Sequence, residues 1–224
     1  MSLDRMIEEI QQEAALSATW TGIARISDRV IEAIRRAPRD RFVPEALKAQ
    51  AWINAPLPIG EGQTISQPFI VALMTELALQ GTAPDQKLAR VLEVGAGSGW
   101  QAAILASLAD QVHAVEIRPA LAEQAQKRLQ ALGFSNVAYH IGDGTKGWPE
   151  GAPFDAILVA AATPSILPAW IEQLKTGGRL IAPIGIAGAT QMLTLGIKQP
   201  DGALQTKQVL PVAFVPLISQ HSLR

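Results

Sequence analysis

The sequence contains no cysteine. That absence excludes a disulfide scaffold, a thiolate metal site, a thiol nucleophile and a redox relay. No sign of charge dominates either. Nineteen Lys and Arg against 20 Asp and Glu leave a formal charge of -1, far from the basic footprint of a nucleic-acid binder. Charged residues make up only 17% and aromatics only 5%, against 48% hydrophobic. This is too apolar for a disordered chain, and the excess of Ala, Leu and Ile suits a buried parallel sheet covered by helices. The one uncharged run long enough to suggest a membrane span, Leu180 to Ile197, is interrupted by Pro183, Gly185, Gly188, Thr190, Gln191 and Gly196. It reads as two buried strands and a turn. Asp4, Glu8, Glu9 and Glu13 near the start are unlike a targeting peptide, and a soluble, cytoplasmic protein is expected. At 224 residues the chain can build a full hydrophobic core, at roughly 150 residues per domain.

Two regions differ in periodicity. Residues 1–85 read as helical. Leu3, Met6, Ile7 and Ile10 form an apolar stripe, Ser27 is placed to cap a second helix bearing Val30, Ile31 and Ile34, and Pro44 can start a short third one. Arg35, Arg36, Arg39 and Arg41 around Asp40 read as a solvated helix end. Ala55 to Gly62, with two prolines and two glycines, predicts an irregular shaped loop. A helix from about Pro68 to Gln80 follows, with Phe69, Ile70, Leu73, Met74 and Leu77 on one face.

From residue 86 to 224 strands and helices alternate. Strands are expected at Arg90–Val94, Val112–Glu116, Val137–Ile141, Phe154–Ala161 and Arg179–Pro183, the last after a turn at Gly177-Gly178. Helices are expected at Gln101–Leu108, Pro119–Leu132 and near Ile166–Leu174. Such alternation with short loops predicts an α/β fold, a doubly wound parallel sheet. Met192–Ile197 and Lys207–Leu217 read as an antiparallel finish. The boundary falls near Thr82–Gln86, although both parts can share one core.

Glu93-Val94-Gly95-Ala96-Gly97-Ser98-Gly99 ends the first strand of that sheet. Glycines there let a ligand approach the backbone N–H groups at a helix start. Glu116 ends the second strand, where such sheets offer a carboxylate to ribose hydroxyls. Either a dinucleotide or S-adenosylmethionine would suit these features. The dinucleotide fingerprint needs glycine at position 100, where Trp100 stands, so the spacing of Gly95, Gly97 and Gly99 with Glu93 favours the second. Asp143, in Gly142-Asp143-Gly144 after the third strand, reads both as a turn and as an acceptor for an adenine amino group.

With Glu93, Glu116 and this element order the loop resembles the class I methyltransferases. The run Pro56-Leu57-Pro58-Ile59-Gly60-Glu61-Gly62-Gln63-Thr64-Ile65-Ser66-Gln67-Pro68 resembles the hallmark of the protein-L-isoaspartate O-methyltransferase family. Arg41–Pro44, Ala152–Ile157, Gln173–Leu180 and Phe214–Leu217 extend the resemblance in the same order. It implies a Rossmann-like fold and methyl transfer from S-adenosylmethionine to the α-carboxylate of L-isoaspartyl residues in damaged proteins, with S-adenosylhomocysteine as product and repair through a succinimide. By resemblance, Ser66 is the catalytic residue. Thr64, Ile65, Gln67, Glu93, Gly95, Gly97, Gly99, Glu116, Asp143 and Gly144 hold the donor. Ile59, Val215, Pro216 and Leu217 hold the substrate. No metal and no nucleic-acid or membrane partner is implied, and a monomer is expected. Asn54 stands where the family often carries Asp, while Ala96 and Trp100 replace common Thr and Tyr; the first departure puts a substrate contact in doubt.

The chemistry suits what the site lacks. A carboxylate is already an anion at neutral pH, so no general base is needed, and alignment with the sulfonium methyl carries the rate. Ser66 would orient the acceptor by a hydrogen bond, or it could merely cap the helix starting at Pro68. His113, His140 and His221 lie far apart in sequence and lack metal-ligand spacing. Gly97-Ser98-Gly99 is not a nucleophile elbow, which argues against a hydrolase. An RNA or small-metabolite methyltransferase would lack the Gly60–Pro68 run, and a non-catalytic binding module would be expected to have lost Glu116 or Asp143.

Overall fold

The fold was analysed in a computed structural model, which describes residues 1–220. A seven-stranded sheet forms its centre. In chain order its strands are β3 (Leu88–Val94), β4 (Ala109–Glu116), β5 (Val137–Ile141), β6 (Phe154–Val159), β7 (Leu174–Ile184), β8 (Gln191–Lys198) and β9 (Leu204–Val212), preceded by a small hairpin of β1 (Leu57–Gly60) and β2 (Gln63–Ile65). The spatial order is β5-β4-β3-β6-β7-β8-β9. The first five are parallel, and β8 and β9 join antiparallel. The sheet is an α/β, Rossmann-like arrangement. Its order reverses between β3 and β6, and there the carboxyl ends open a crevice, the usual ligand position of such sheets. Val91, Leu92, Val94 and Ala156 to Val159 are buried in these two strands, as expected where both faces are covered.

The helices are α1 (Leu3–Thr21), α2 (Asp28–Arg36), α3 (Pro68–Leu79), α4 (Trp100–Ala106), α5 (Pro119–Ala131) and α6 (Pro168–Gln173). Ser2 caps α1 by accepting from the N–H of Arg5, and Gly22 ends it in the left-handed conformation. α3 is buried around nearly its whole circumference, with Glu76 its exception, because α1 and α2 cover the side that the sheet does not. One hydrophobic cluster runs from Met6 and Ile10 through Phe69 and Leu73 to Val91, Leu158 and Leu210, so residues 1–85 and the sheet share a core. Among the described residues no helix is long and apolar enough to cross a membrane.

Several expectations are corrected. Ala55–Gly62 is not wholly irregular, because Leu57–Gly60 pairs with Gln63–Ile65. The turn residues Glu61 and Gly62 both have positive φ, 52° and 68°, the backbone that matches strand twist in tight hairpins. The Gly177-Gly178 turn is absorbed into β7, which pairs with β6 across a register shift. A Cβ on Gly178 would stand 2.8 Å from the Lys175 carbonyl oxygen, so the pair lets the strand bulge instead of ending it. Chain 213–217 leaves the sheet after β9, and Pro216 bridges to Ala162 instead. Ser27 sits at the N-cap position of α2 without capping it; its hydroxyl donates to the Glu76 carboxylate at 2.7 Å.

Candidate active site

The candidate donor side is built at the carboxyl ends of β3 and β4. Gly97 takes a positive φ of 49° and its N–H donates to a Glu116 carboxylate oxygen at 2.8 Å, while the other oxygen accepts from Arg118 N–H at 3.0 Å. The acid therefore holds the glycine loop in shape and keeps lone pairs for a ligand. The Tyr139 hydroxyl donates to the Gly97 carbonyl from the opposite side. Gly95, Gly97, Glu116 and Gly144 line one crevice with Thr64. Glu93 lines an adjoining one with Thr64, Ile65 and Ser66. Glu93 is 1% exposed, and one of its carboxylate oxygens has no hydrogen-bond partner. Burial, and then the nearby Glu116 charge, push its pKa well above the ordinary carboxyl range. A buried acid with an open lone pair suits a ligand bearing a cation or an N–H donor.

Asp143 faces the same end of the sheet. One oxygen accepts from the N–H and hydroxyl of Thr145, and the other from the N–H of Gln220 at 3.0 Å. Burial would raise its pKa, but these bonds hold it below the usual carboxylate range. The turn role and a carboxylate at the strand end thus coexist, with the C-terminal segment drawn over it. Gly99 lines neither crevice. A Cβ there would meet Ala125 and Leu129 of α5 at 3.3 Å, so this glycine serves close helix packing.

The candidate acceptor side is a separate cavity of about 410 Å³. Ser66, Gln67, Ile70, Phe214, Val215 and Glu13 are among its walls. Thr64 of β2 and Ser66 just after it also border the donor crevices, so β2 and the residue that follows it form the partition between the two sides. Pro216 and Leu217 border the donor crevice only, and Val215 borders both. Ile59 lies outside the acceptor cavity, against the glycine loop with its Cδ1 3.3 Å from the position of a Cβ on Gly97.

Ser66 does not cap α3. Gln67 occupies the N-cap position and no side chain caps there. The first turn is served instead by Asn54, whose Oδ1 accepts from Phe69 N–H at 2.9 Å. Asn54 also donates to Glu13 at 2.8 Å. An aspartate could make the first bond and not the second, which accounts for the amide in this chain.

Residues 12–222 match the family described as protein-L-isoaspartate(D-aspartate) O-methyltransferase. The chain belongs to this family. A protein-L-isoaspartate O-methyltransferase 2 of Polaromonas sp. is 51% identical over 96% of this chain and 100% of its own length. One from Syntrophobacter fumaroxidans is 49% identical, covering 97% of this chain and 86% of its own. A solved protein-L-isoaspartate O-methyltransferase aligns with a TM-score of 0.82 at 27% identity, over 96% of this chain and 65% of that longer one. A putative Plasmodium falciparum member in complex with S-adenosyl-L-homocysteine aligns at 0.77 with 21% identity, over 96% of this chain and 97% of its own, and shares the fold.

This member of the family holds its partition in place with a residue that sequence reading assigned to solvent. Arg39 is fully buried. Its Nη1 donates to the carbonyls of Ala51 and Ile53, and its Nη2 to those of Ala55 at 2.8 Å and Ser66 at 3.0 Å. The guanidinium carbon lies 5.1 Å from the Trp100 ring centre. Burial lowers its pKa to about 10, so it stays cationic at neutral pH and neutralises four carbonyl dipoles. The signal missed was its place after Pro38, which ends α2 before Arg39 and turns the side chain inward. Trp100 is likewise interior, donating to the Ala37 carbonyl at 2.8 Å while bordering the crevice beside Glu93.

Proposed function

We propose that this chain is a protein-L-isoaspartate O-methyltransferase using S-adenosylmethionine, and that Ser66 stands at the junction of its two sites. The observation that carries this reading is the shared wall: Thr64 and Ser66 border both the donor crevice and the acceptor cavity. The donor fits the residues present. Glu93 leaves a buried oxygen open, the glycine loop presents backbone at the helix start, and Glu116 and Asp143 put carboxylates at the ends of β4 and β5.

When bound, the donor supplies a methyl group on a positively charged sulfur and leaves as S-adenosylhomocysteine. Glu93 would hold its amino end, Gly95 and Gly97 its chain, Glu116 its ribose and Asp143-Gly144 its adenine. Ile65 and Gln67 keep the segment between them in register, with the Gln67 amide donating to Glu13 at 3.0 Å. On the other side the Ser66 hydroxyl donates to the α-carboxylate of the isoaspartyl residue and fixes which oxygen faces the methyl group. A hydroxyl does this without a charge that would repel the acceptor or bind it too tightly in its ground state. Val215 supplies backbone to the substrate, and Ile59, Pro216 and Leu217 shape the loops that support both ligands. The ester formed on the substrate closes to a succinimide by attack of the adjacent backbone nitrogen, with loss of methanol, and hydrolysis then returns part of it as normal aspartate. Both candidate sites lie within one chain, so a monomer suffices to act on damaged proteins.

The test is methyl transfer from labelled S-adenosylmethionine to two synthetic peptides that differ only in L-isoaspartate or L-aspartate at one position. Base-labile label on the isoaspartyl peptide alone is expected. Equal labelling of both, or of neither while donor binds, overturns the assignment.

A further inference from the structure

We propose that Glu13 sets the charge preference of the acceptor cavity, favouring isoaspartyl peptides with a basic residue beside the damaged position. The inference rests on the acceptor assignment just given and deepens it.

Glu13 belongs to α1, a helix that none of the assigned site residues occupies, and among the described residues it is the one charged residue lining the cavity. Its carboxylate is half-buried and firmly placed. Asn54 Nδ2 donates to one oxygen at 2.8 Å, and Gln67 Nε2 donates to the same oxygen at 3.0 Å and to the other at 3.3 Å. Both donors are neutral amides, so they fix the group without cancelling its charge. Gln67 directly follows Ser66, so this fixed negative charge stands beside the residue that orients the acceptor.

Anchoring Asn54 and Gln67 needs only an acceptor oxygen, and beyond that a site for an anionic substrate would gain nothing from an uncompensated carboxylate unless another part of the substrate meets it. In a peptide, the side chains flanking the isoaspartyl residue are the parts free to carry a cation, since its own carboxylate must face Ser66. Lys or Arg beside the damaged position would pair with Glu13, and Asp or Glu there would be repelled. Along the same face of α1, Leu16 and Trp20 are 82% and 64% exposed, three and seven residues further on. The surface leading away from Glu13 thus suits an extended chain better than a compact metabolite.

The Coulomb energy of a partly screened pair several ångströms apart corresponds to a preference of about tenfold. Three isoaspartyl peptides with Lys, Gln or Glu at the neighbouring positions, placed on either side in turn, would be compared with wild type and Glu13→Gln. In wild type, kcat/KM is expected to fall about tenfold from the Lys to the Glu peptide on one side, chiefly through KM. In Glu13→Gln, which keeps an oxygen to accept from Asn54 and Gln67, the ratio should shrink to about twofold. Thermal melting with S-adenosylhomocysteine reports whether the variant is folded. Should it not fold, raising salt from about 20 mM to about 500 mM on wild type must shrink the ratio at least about threefold. A purely anchoring Glu13 predicts the same ratio in both proteins, or a salt-independent one, and either result overturns the proposal. Failure of wild type on the Gln peptide would instead contradict the acceptor assignment itself.

Discussion

Ser66 and Arg39 act on the same few atoms of backbone for different reasons. Ser66 leaves the capping of α3 to Asn54, so its hydroxyl is free for a ligand. Ser66→Ala should therefore lower kcat/KM about 10- to 100-fold, the range of one hydrogen bond to a charged group. Donor affinity should stay within about twofold and stability within about 0.5 kcal/mol. Isothermal titration with S-adenosylhomocysteine and urea unfolding check the second half, and a stability loss of about 1 kcal/mol or more would restore the capping role. Arg39 is the opposite case. Arg39→Met fills similar volume but strips four carbonyls of their donor, and it should cost about 3 kcal/mol or more, read as a lower urea midpoint. The motif around Ser66 marked it as a candidate in the sequence. Arg39 had no such mark, because four arginines around one aspartate look alike until the fold shows which one points inward.

Among the elements, β4 and β5 carry a pH-dependent contact that spacing alone could not reveal. His113 Nδ1 lies 3.0 Å from His140 Nε2, and the His140 ring stacks on Trp148 with centres 3.8 Å apart. Burial first, then the positive charge of Arg90, lowers the pKa of His113. Burial, then His113, lowers that of His140 against an opposing pull from Glu150. For a base whose pKa is lower folded than unfolded, protonation favours the unfolded chain. Stability is therefore full above the unfolded value of about 6.5 and declines as pH falls from there toward the folded values. Urea midpoints between about pH 7.5 and about pH 5 should fall, and fall less in His140→Gln. A midpoint that is flat over this range, or as steep in the variant, contradicts this account. The pairing was invisible in sequence because the two residues come from consecutive parallel strands separated by α5. The strands themselves were legible: β5 has the expected limits, and β3, β4 and β6 differ from expectation only at their ends. The hairpin of β1 and β2 was hidden because proline and glycine, read locally, signal loop, whereas Glu61 and Gly62 supply the paired positive-φ turn that hairpins need.

For the whole molecule, the parallel doubly wound sheet was readable from the alternation of strands and helices, and so was the position of the glycine loop after its first strand; the strand order came only from the structure. The acceptor cavity was readable only in part. It is assembled from α1, the segment after β2, and the chain that follows β9, pieces far apart in sequence that meet because one core spans them. Glu13 and Asn54 illustrate the limit: Asn54 stood out only as a departure from the family's usual Asp, and its reason is legible only once its hydrogen bond to Glu13 is seen. α3 is buried on nearly every side and joins the N-terminal helices and the sheet in one core. Donor and acceptor sites should accordingly be lost together on unfolding.

The most direct test of the account is a time course of one purified isoaspartyl peptide with the protein and labelled S-adenosylmethionine, separating the isoaspartyl and aspartyl forms chromatographically. The account predicts that base-labile methyl ester appears first on the isoaspartyl form, decays as methanol is released, and is followed by growth of unlabelled aspartyl peptide that is not methylated again. Label in a base-stable linkage, or methyl ester on the aspartyl form at a comparable rate, would contradict it.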